Sequence, residues 1–101
     1  TAVTQVTVDN TPPSARITYP QPDQTVTPVR GGVTITAQVE DLVGVARVEW
    51  WVDGRKALEQ TAPPYLYQLA GSTGNHNVYL KAWDSAGNTY QTEQTSFGVK
   101  P

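Results

Sequence analysis

The stretch Val48-Glu49-Trp50-Trp51-Val52-Asp53-Gly54-Arg55 decides the fold of this chain. Its apolar residues at every second position predict a β-strand. The Asp-Gly pair that follows is typical of a two-residue hairpin turn, because both turn positions need positive φ. A second stretch, Ala82-Trp83-Asp84-Ser85-Ala86-Gly87-Asn88, reads as a strand end followed by a turn whose Asp and Asn side chains bond their own backbone. Strands joined by tight turns indicate an all-β protein.

Composition narrows the class of protein. The chain has 101 residues, eight Gly, eight Pro and no Cys, which suits one domain rich in strands and turns. The formal net charge of −2 and the lack of a basic stripe predict no nucleic-acid partner. No apolar run is long enough to cross a membrane, and no lipidation signal is present, so we expect no membrane contact. Since position 1 is not Met, we expect a piece of a longer chain.

Turn residues divide the chain into short alternating segments. The alternation predicts inward-facing apolar residues in every long strand: Val33, Ile35, Ala37 and Val39; Val48, Trp50 and Val52; Tyr65, Tyr67 and Leu69; Val78, Leu80 and Ala82; Phe97 and Val99. The predicted strands cover residues 15–19, 25–27, 33–40, 46–52, 56–60, 65–69, 76–83 and 90–99. Seven or eight strands with turns about every 8–12 residues are typical of a two-sheet β-sandwich.

The first residues repeat the pattern of the last. Residues 2–8 are a polar, alternating segment that runs towards a proline, as residues 92–99 are. One hypothesis makes residues 2–8 the end strand of a preceding module in a tandem array, with Pro12-Pro13 as the linker. The alternative is that they pair with an edge of this domain. We favour the first, which divides the chain into residues 1–13 and an independent domain at 14–101.

The order of these segments resembles the bacterial immunoglobulin-like (Big-type) domains found in secreted and cell-wall proteins. The matching pieces, over residues 14–99, are Ile17-Thr18-Tyr19-Pro20, Asp41 with Gly44-Val45, Val48 to Gly54, Pro64-Tyr65, Gly74-Asn75-His76 and Ala82 to Asn88. The resemblance implies an immunoglobulin-like, two-sheet antiparallel β-sandwich of about seven strands. It also implies a non-catalytic module in an exported bacterial protein, located outside the cell, at its surface or in the periplasm.

A catalytic site is not expected. Nucleophilic or acid–base catalysis needs a nucleophile, a base and an orienting group held together. The chain has one His and no Cys, and no such set is visible. His76 is therefore expected to cap or pack one end of the sandwich, and we predict no catalytic residue. The resemblance implies a hydrolase, protease or cell-wall enzyme as the parent of such a module.

A calcium site has two competing interpretations. In an immunoglobulin-like topology, the loops at Asp41 and Asp84 lie at the same end, where Asp41, Asp84 and Asn88, with Glu40, could supply oxygen ligands. Alternatively, Asp84 and Asn88 shape their own turn, and Asp41 does the same before Gly44. Dense Asp-x-Asp spacing is absent. We therefore expect no cofactor, with calcium as the alternative.

The outward residues of two predicted neighbouring strands form the candidate binding site. A register that aligns the inward residues pairs Arg47 with Trp83, Glu49 with Lys81, and Trp51 with Tyr79. These pairs predict a cation–π contact, an ion pair and an aromatic pair, each of which stabilises a sheet. Tyr90 is expected beside Trp83. The alternative is that the aromatic residues Trp51, Tyr79, Trp83 and Tyr90 form a platform for sugar rings or a neighbouring domain.

Trp50 has the opposite phase and is expected in the core, where immunoglobulin folds keep a buried Trp. The leading functional hypothesis is a structural spacer or accessory module whose partners are the neighbouring domains of its own chain. The second hypothesis is a carbohydrate- or cell-wall-binding module that uses the aromatic face.

Overall fold

The computed structural model describes residues 12–41, 44–70 and 73–101. The described residues form nine strands and no helix: β1 (Ser14–Tyr19), β2 (Thr25–Val26), β3 (Gly32–Glu40), β4 (Val45–Val52), β5 (Arg55–Gln60), β6 (Leu66–Ala70), β7 (Gly74–Asp84), β8 (Thr89–Gln91) and β9 (Thr95–Val99). One sheet has the order β1-β3-β6. The other has the order β2-β9-β7-β4-β5, with β8 also paired to β7. This two-sheet sandwich is the predicted fold class. The predicted strand at residues 2–8 lies outside the described residues.

The predicted last strand, residues 90–99, is wrong in one respect, because it is two strands. β8 pairs with β7 at Ala82↔Tyr90, whereas β9 pairs with β7 at Val78↔Thr95, which shifts the register by one residue. The segment between β8 and β9 holds the extra residue. Here Thr92 replaces the regular ladder: its amide donates to the Leu80 carbonyl at 2.9 Å, and its Oγ1 accepts from the Leu80 amide at 3.0 Å. This geometry is that of a β-bulge.

The core lies between the sheets and confirms the predicted inward residues. The buried cluster consists of Val26, Val33, Ile35, Val48, Trp50, Val52, Tyr65, Leu69, Val78, Leu80, Ala82, Phe97 and Val99. Ala37, Val39 and Tyr67, also predicted to face inward, are partly buried and pack against this cluster. β3, β4, β7 and β9 contribute residues at every second position, as the pleat requires.

The chain enters and leaves the sandwich at opposite ends. Ser14, the first residue of β1, pairs with Glu40, the last residue of β3. After a short connection, β4 begins opposite Asp84, the last residue of β7. These residues define the proximal end. Val99 pairs with Gly74, the first residue of β7, and so marks the distal end.

The hairpin that opened the sequence analysis lies at the distal end. Val52 pairs with Arg55, and the two residues between them have positive φ, 50° at Asp53 and 82° at Gly54. Such a turn matches the twist of its two strands. The turn leads into β5, an exposed edge strand that carries Arg55, Lys56 and Glu59. Charged residues on an edge oppose pairing with another chain.

No described helix has the length and apolar character needed to span a membrane.

Candidate functional site

The candidate site is the solvent side of β4 and β7. We call it the outer face, and it consists of Arg47, Glu49, Trp51, Tyr79, Lys81 and Trp83. The two strands have the predicted register: Arg47 lies opposite Trp83, Glu49 opposite Lys81, and Trp51 opposite Tyr79. Three of the four predicted aromatic site residues, Trp51, Tyr79 and Trp83, therefore share one surface.

Trp51 and Tyr79 form the predicted aromatic pair. Their ring centroids are 5.9 Å apart, and the ring planes differ by 7°. Both side chains are half-buried, so each keeps part of its surface in water. An offset pair of this kind stabilises a sheet beyond the area that it buries.

A cationic side chain lies over the ring of each tryptophan of the outer face. The Arg47 guanidinium carbon lies 3.9 Å from the Trp83 ring centroid, which is the predicted cation–π contact. Lys81 Nζ lies 4.5 Å from the Trp51 ring centroid. The pairs therefore combine an apolar ring with a positive charge along the whole face.

The predicted ion pair between Glu49 and Lys81 is replaced by other contacts. The Glu49 carboxylate lies 3.2 Å from Lys56 Nζ and 3.7 Å from Arg47 Nε. An irregularity in the β4–β5 ladder places Lys56 opposite Trp51, and from there its long side chain reaches Glu49. Lys81 instead reaches diagonally from β7 to the Trp51 ring on β4.

Glu49 anchors the centre of the outer face. It is only 8% exposed, and its Oε1 accepts a hydrogen bond from Trp51 Nε1 at 3.1 Å. Burial alone would raise the pKa of Glu49. The hydrogen bonds from Trp51 and Lys56, with the charges of Lys56 and Arg47, more than offset burial and hold the pKa of Glu49 below its ordinary value. Glu49 is therefore a fixed anion.

Tyr90 lies apart from the other three aromatic residues. It pairs with Ala82, whose side chain faces the core, whereas Thr89 is opposite Trp83. Residues directly opposite each other in a sheet share a face. Tyr90 is therefore on the inward side of the sheet, at its edge, where it stays 39% exposed. The expected contact between Tyr90 and Trp83 is wrong. Successive residues of a strand point to opposite sides of the sheet, and Tyr90 follows Thr89, the residue opposite Trp83.

Asp84 and Asn88 shape their own turn. Asp84 Oδ1 accepts from the amides of Ala86 and Asn88 at 3.0 and 2.8 Å, and Asp84 Oδ2 accepts from Asn88 Nδ2 at 3.0 Å. Asp41 follows β3 at the same, proximal end. Within the described ranges, no three Asp, Glu, His or Cys side chains form a group that could hold a metal ion. Calcium at Asp41, Asp84 and Asn88 stays a prediction, which a Ca²⁺ titration of the melting temperature tests.

His76 packs the distal end against the hairpin turn. It is 9% exposed, its ring lies 5.9 Å from that of Phe97, and its Nδ1 is 2.6 Å from Asp53 Oδ2. The other carboxylate oxygen of Asp53 accepts from the Asn77 amide at 2.9 Å. Burial would raise the pKa of Asp53, but the hydrogen bonds from His76 and Asn77 lower it below its ordinary value.

Two side chains with structural roles were missed from the sequence. Gln60 Oε1 accepts from Trp50 Nε1 at 2.8 Å and from the Leu66 amide at 3.1 Å, so it satisfies the buried indole and ties down the next loop. Asp53 is the partner of His76. The predicted register, continued by one residue past Val52, would have placed Asp53 opposite Asn77, beside His76. No sequence signal distinguishes Gln60 from the other glutamines.

No curated protein matches the sequence significantly. A structure of fibronectin(III)-like modules of CbhA from Clostridium thermocellum has a TM-score of 0.74 and 26% identity, and the match covers 88% of this chain. The chain spans about half, 47%, of that structure's length.

A second solved structure is more distant. It is SGBP-B of the mixed-linkage glucan utilization locus of Bacteroides ovatus, in complex with a mixed-linkage heptasaccharide. Its TM-score is 0.62 at 17% identity, and the match covers 91% of this chain and 25% of the other. This likeness concerns the fold.

The family itself is identified from the sequence. A family model described as "Bacterial Ig domain" matches residues 13–80, which is more than half of the chain and runs from just before β1 into β7. The two-sheet sandwich, the buried Trp50 and the fibronectin(III)-like neighbour agree with this match. The chain belongs to the bacterial Ig domain family.

Proposed function

We propose that this domain is a non-catalytic spacer in an exported bacterial multidomain protein, outside the cytoplasm. The observation that supports it is the path of the chain: Ser14 lies at the proximal end and Val99 at the distal end. Domains attached before and after this one are therefore held on opposite sides of a packed sandwich. β7 has 11 residues. At roughly 3.4 Å per residue, it separates the two ends by about 35 Å.

The extent of the structural match agrees with a modular role. The fibronectin(III)-like structure is about twice as long as the segment that this chain matches, so the fold occurs there as part of a longer chain. The outer face supplies contacts between cations and rings, and its carboxylate Glu49 is engaged by Lys56 and Trp51. Such groups suit packing and recognition rather than acid–base chemistry.

Domain replacement in the parent protein tests the spacer. One variant replaces residues 14–101 with an unrelated two-sheet sandwich whose termini lie equally far apart, and the other deletes them. We expect the replacement to keep the activity of the flanking domains on their natural substrate, and the deletion to lower it. A replacement as damaging as the deletion would overturn the spacer, because it would show that this domain's own surface is needed.

The second candidate is carbohydrate or cell-wall binding by the outer face. It is favoured by the half-buried rings of Trp51, Tyr79 and Trp83 on one surface. The likeness to the B. ovatus protein adds that this fold occurs in a protein that holds a heptasaccharide.

A pull-down with cellulose, chitin and peptidoglycan tests the second candidate. Binding that a Trp51→Ala/Trp83→Ala double variant loses would support it. Tyr90→Ala is the matched control, since it removes an exposed ring that is not on the outer face. Binding that Tyr90→Ala abolishes and the double variant keeps would reject the outer face as the site.

A further inference from the structure

We propose that the outer face binds a carboxylated polysaccharide, a polyuronate, with Arg47 and Lys81 pairing with its carboxylates. This inference rests on the second candidate, glycan binding, and adds the chemical class of the glycan. It is carried by two cations that lie on tryptophan rings and keep their donors available.

Arg47 is the stronger of the two cations. Its guanidinium lies 3.9 Å from the Trp83 centroid, and its side chain is 43% exposed. Its ion-pair contact with Glu49 is 3.7 Å through Nε, longer than a hydrogen bond. Among the described residues, no side chain accepts a hydrogen bond from the terminal Nη groups of Arg47. A planar guanidinium held on a ring keeps its edge donors for a carboxylate, which it matches with two parallel hydrogen bonds.

Lys81 repeats the arrangement one position along the face. Its Nζ lies 4.5 Å from the Trp51 centroid, and no carboxylate of the described residues is within ion-pair distance of it. Because Arg47 is opposite Trp83 and Lys81 is two residues before Trp83, the two cations are diagonal neighbours, about 7–8 Å apart at the backbone. A polymer that repeats its carboxylates along a chain can reach both.

The charge of the region suits an anion. With Lys56 and Glu59, the β5 residues opposite Trp51 and Glu49, the outer face places three cations (Arg47, Lys56 and Lys81) against two carboxylates (Glu49 and Glu59), in a chain whose formal net charge is −2. Lys56 lies 3.2 Å from Glu49 and 2.8 Å from Glu59, so it neutralises carboxylates of the protein itself. An incoming carboxylate therefore meets Arg47 and Lys81 as the available cations.

The aromatic rings favour a sugar polymer over an acidic peptide. Trp51 and Tyr79 stack with nearly parallel planes and stay partly exposed. A pyranose ring can pack its C–H face on the exposed parts of these rings while its carboxylate points to Arg47 or Lys81. The cations are already held in place, so binding orders few side chains and loses little entropy.

The test compares two polymers that share a backbone and differ in whether the carboxyl group is ionised or esterified. Polygalacturonate and its methyl ester share one backbone, and isothermal titration measures the affinity of the whole chain for each. We expect the ester to bind about tenfold more weakly or worse, and added salt to weaken the binding of the acid. Arg47→Gln/Lys81→Gln should lose about tenfold or more in affinity for the acid. Arg16→Gln, which removes one charge from the other sheet, should change nothing.

Each other outcome is decisive. Equal affinity for acid and ester would overturn the recognition of charge but leave glycan binding intact. No binding to the acid, to the ester or to the insoluble polysaccharides above would reject both charge recognition and glycan binding. Equal affinity for polyglutamate would overturn the sugar and indicate an acidic peptide. The single variants Lys81→Gln and Lys81→Arg separate the charge from the rest of the side chain. Lys81→Arg keeps the charge and should retain binding, and a loss of affinity as large as that of Lys81→Gln would overturn the role of the cation.

Discussion

Trp50 and Trp51 are neighbours in sequence and opposites in role. Trp50 is fully buried, and its indole N–H is satisfied by Gln60 at 2.8 Å. Trp51 is half-buried on the other side of β4, and its indole N–H is satisfied by Glu49 at 3.1 Å. Both indole N–H groups are satisfied, but only Trp50 is shielded from water. The difference shows that alternation along β4 directs one side chain into the core and leaves the next at the solvent surface.

The largest expected effect separates the two tryptophans. Trp50→Ala should lower the free energy of unfolding by about 3–5 kcal/mol, because it opens a cavity in the core. Trp51→Ala should cost about 1 kcal/mol, the contribution of a cross-strand aromatic pair. Denaturant unfolding, followed by circular dichroism, measures both. Similar losses, or a loss below about 1 kcal/mol for Trp50→Ala, would mean that the assignment of the two faces is wrong.

Gln60→Ala sharpens the comparison from the core side. It leaves the buried Trp50 indole N–H without its acceptor and removes the acceptor of the Leu66 amide. We expect a loss of about 1–3 kcal/mol in unfolding free energy, the cost of an unsatisfied buried polar group. Gln68→Ala is the control, since exposed Gln68 accepts only an exposed hydroxyl hydrogen bond from Thr34. Equal losses would show that the indole finds water instead.

Lowering the pH should reduce the contribution of Glu49 to the free energy of unfolding. Because the pKa of Glu49 is lowered in the folded state, its contribution to stability is complete above the ordinary carboxyl pKa. It is lost as the pH falls through the folded-state pKa. The difference in unfolding free energy between the wild-type chain and Glu49→Gln should therefore narrow from pH 7 to pH values below about 4. A Glu49→Gln difference that stays constant over this pH range would contradict the prediction.

The smallest expected effect concerns the Lys81–Trp51 contact. Lys81→Met keeps an apolar side chain of similar length but removes the charge, so it should cost about 0.5–1 kcal/mol. Urea unfolding of this variant and of Trp51→Ala/Lys81→Met gives the coupling between the two side chains. A coupling of zero would show that Lys81 stands in solvent and does not contact the ring.

The sequence predicted the parts of this molecule that depend on period-two alternation. A slip of one residue would expose every core residue of the strand, so the register has to align the inward residues of β4 and β7, as the pairing of Trp50 with Leu80 does. That register placed Trp51 beside Tyr79 and Arg47 beside Trp83. The Asp53-Gly54 turn could also be predicted from the sequence, since few residue pairs tolerate positive φ at both positions.

What alternation could not predict depends on side-chain reach. The choice of Lys56 over Lys81 as the partner of Glu49 follows from an irregular β4–β5 ladder. The break at Thr92 depends on a hydroxyl that substitutes for a backbone acceptor, and a threonine in a strand reads like any other. The same bulge divides residues 90–99, and the side-chain period then puts Tyr90 on the side opposite Trp83. Such details need the positions of long side chains, which a one-dimensional pattern does not contain.

The placement of Ser14 and Val99 at opposite ends has a mechanical consequence. Tension applied at Ser14 and Val99 acts along β1 and β9, and the hydrogen bonds of the ladders β1–β3 and β7–β9 lie across that direction. The pull therefore shears each ladder, and its bonds are strained together rather than opened one at a time. Resistance to such a pull is set by the rate of forced unfolding rather than by equilibrium stability. If the domain is the proposed spacer, this geometry suits it to carry load between the domains that it connects.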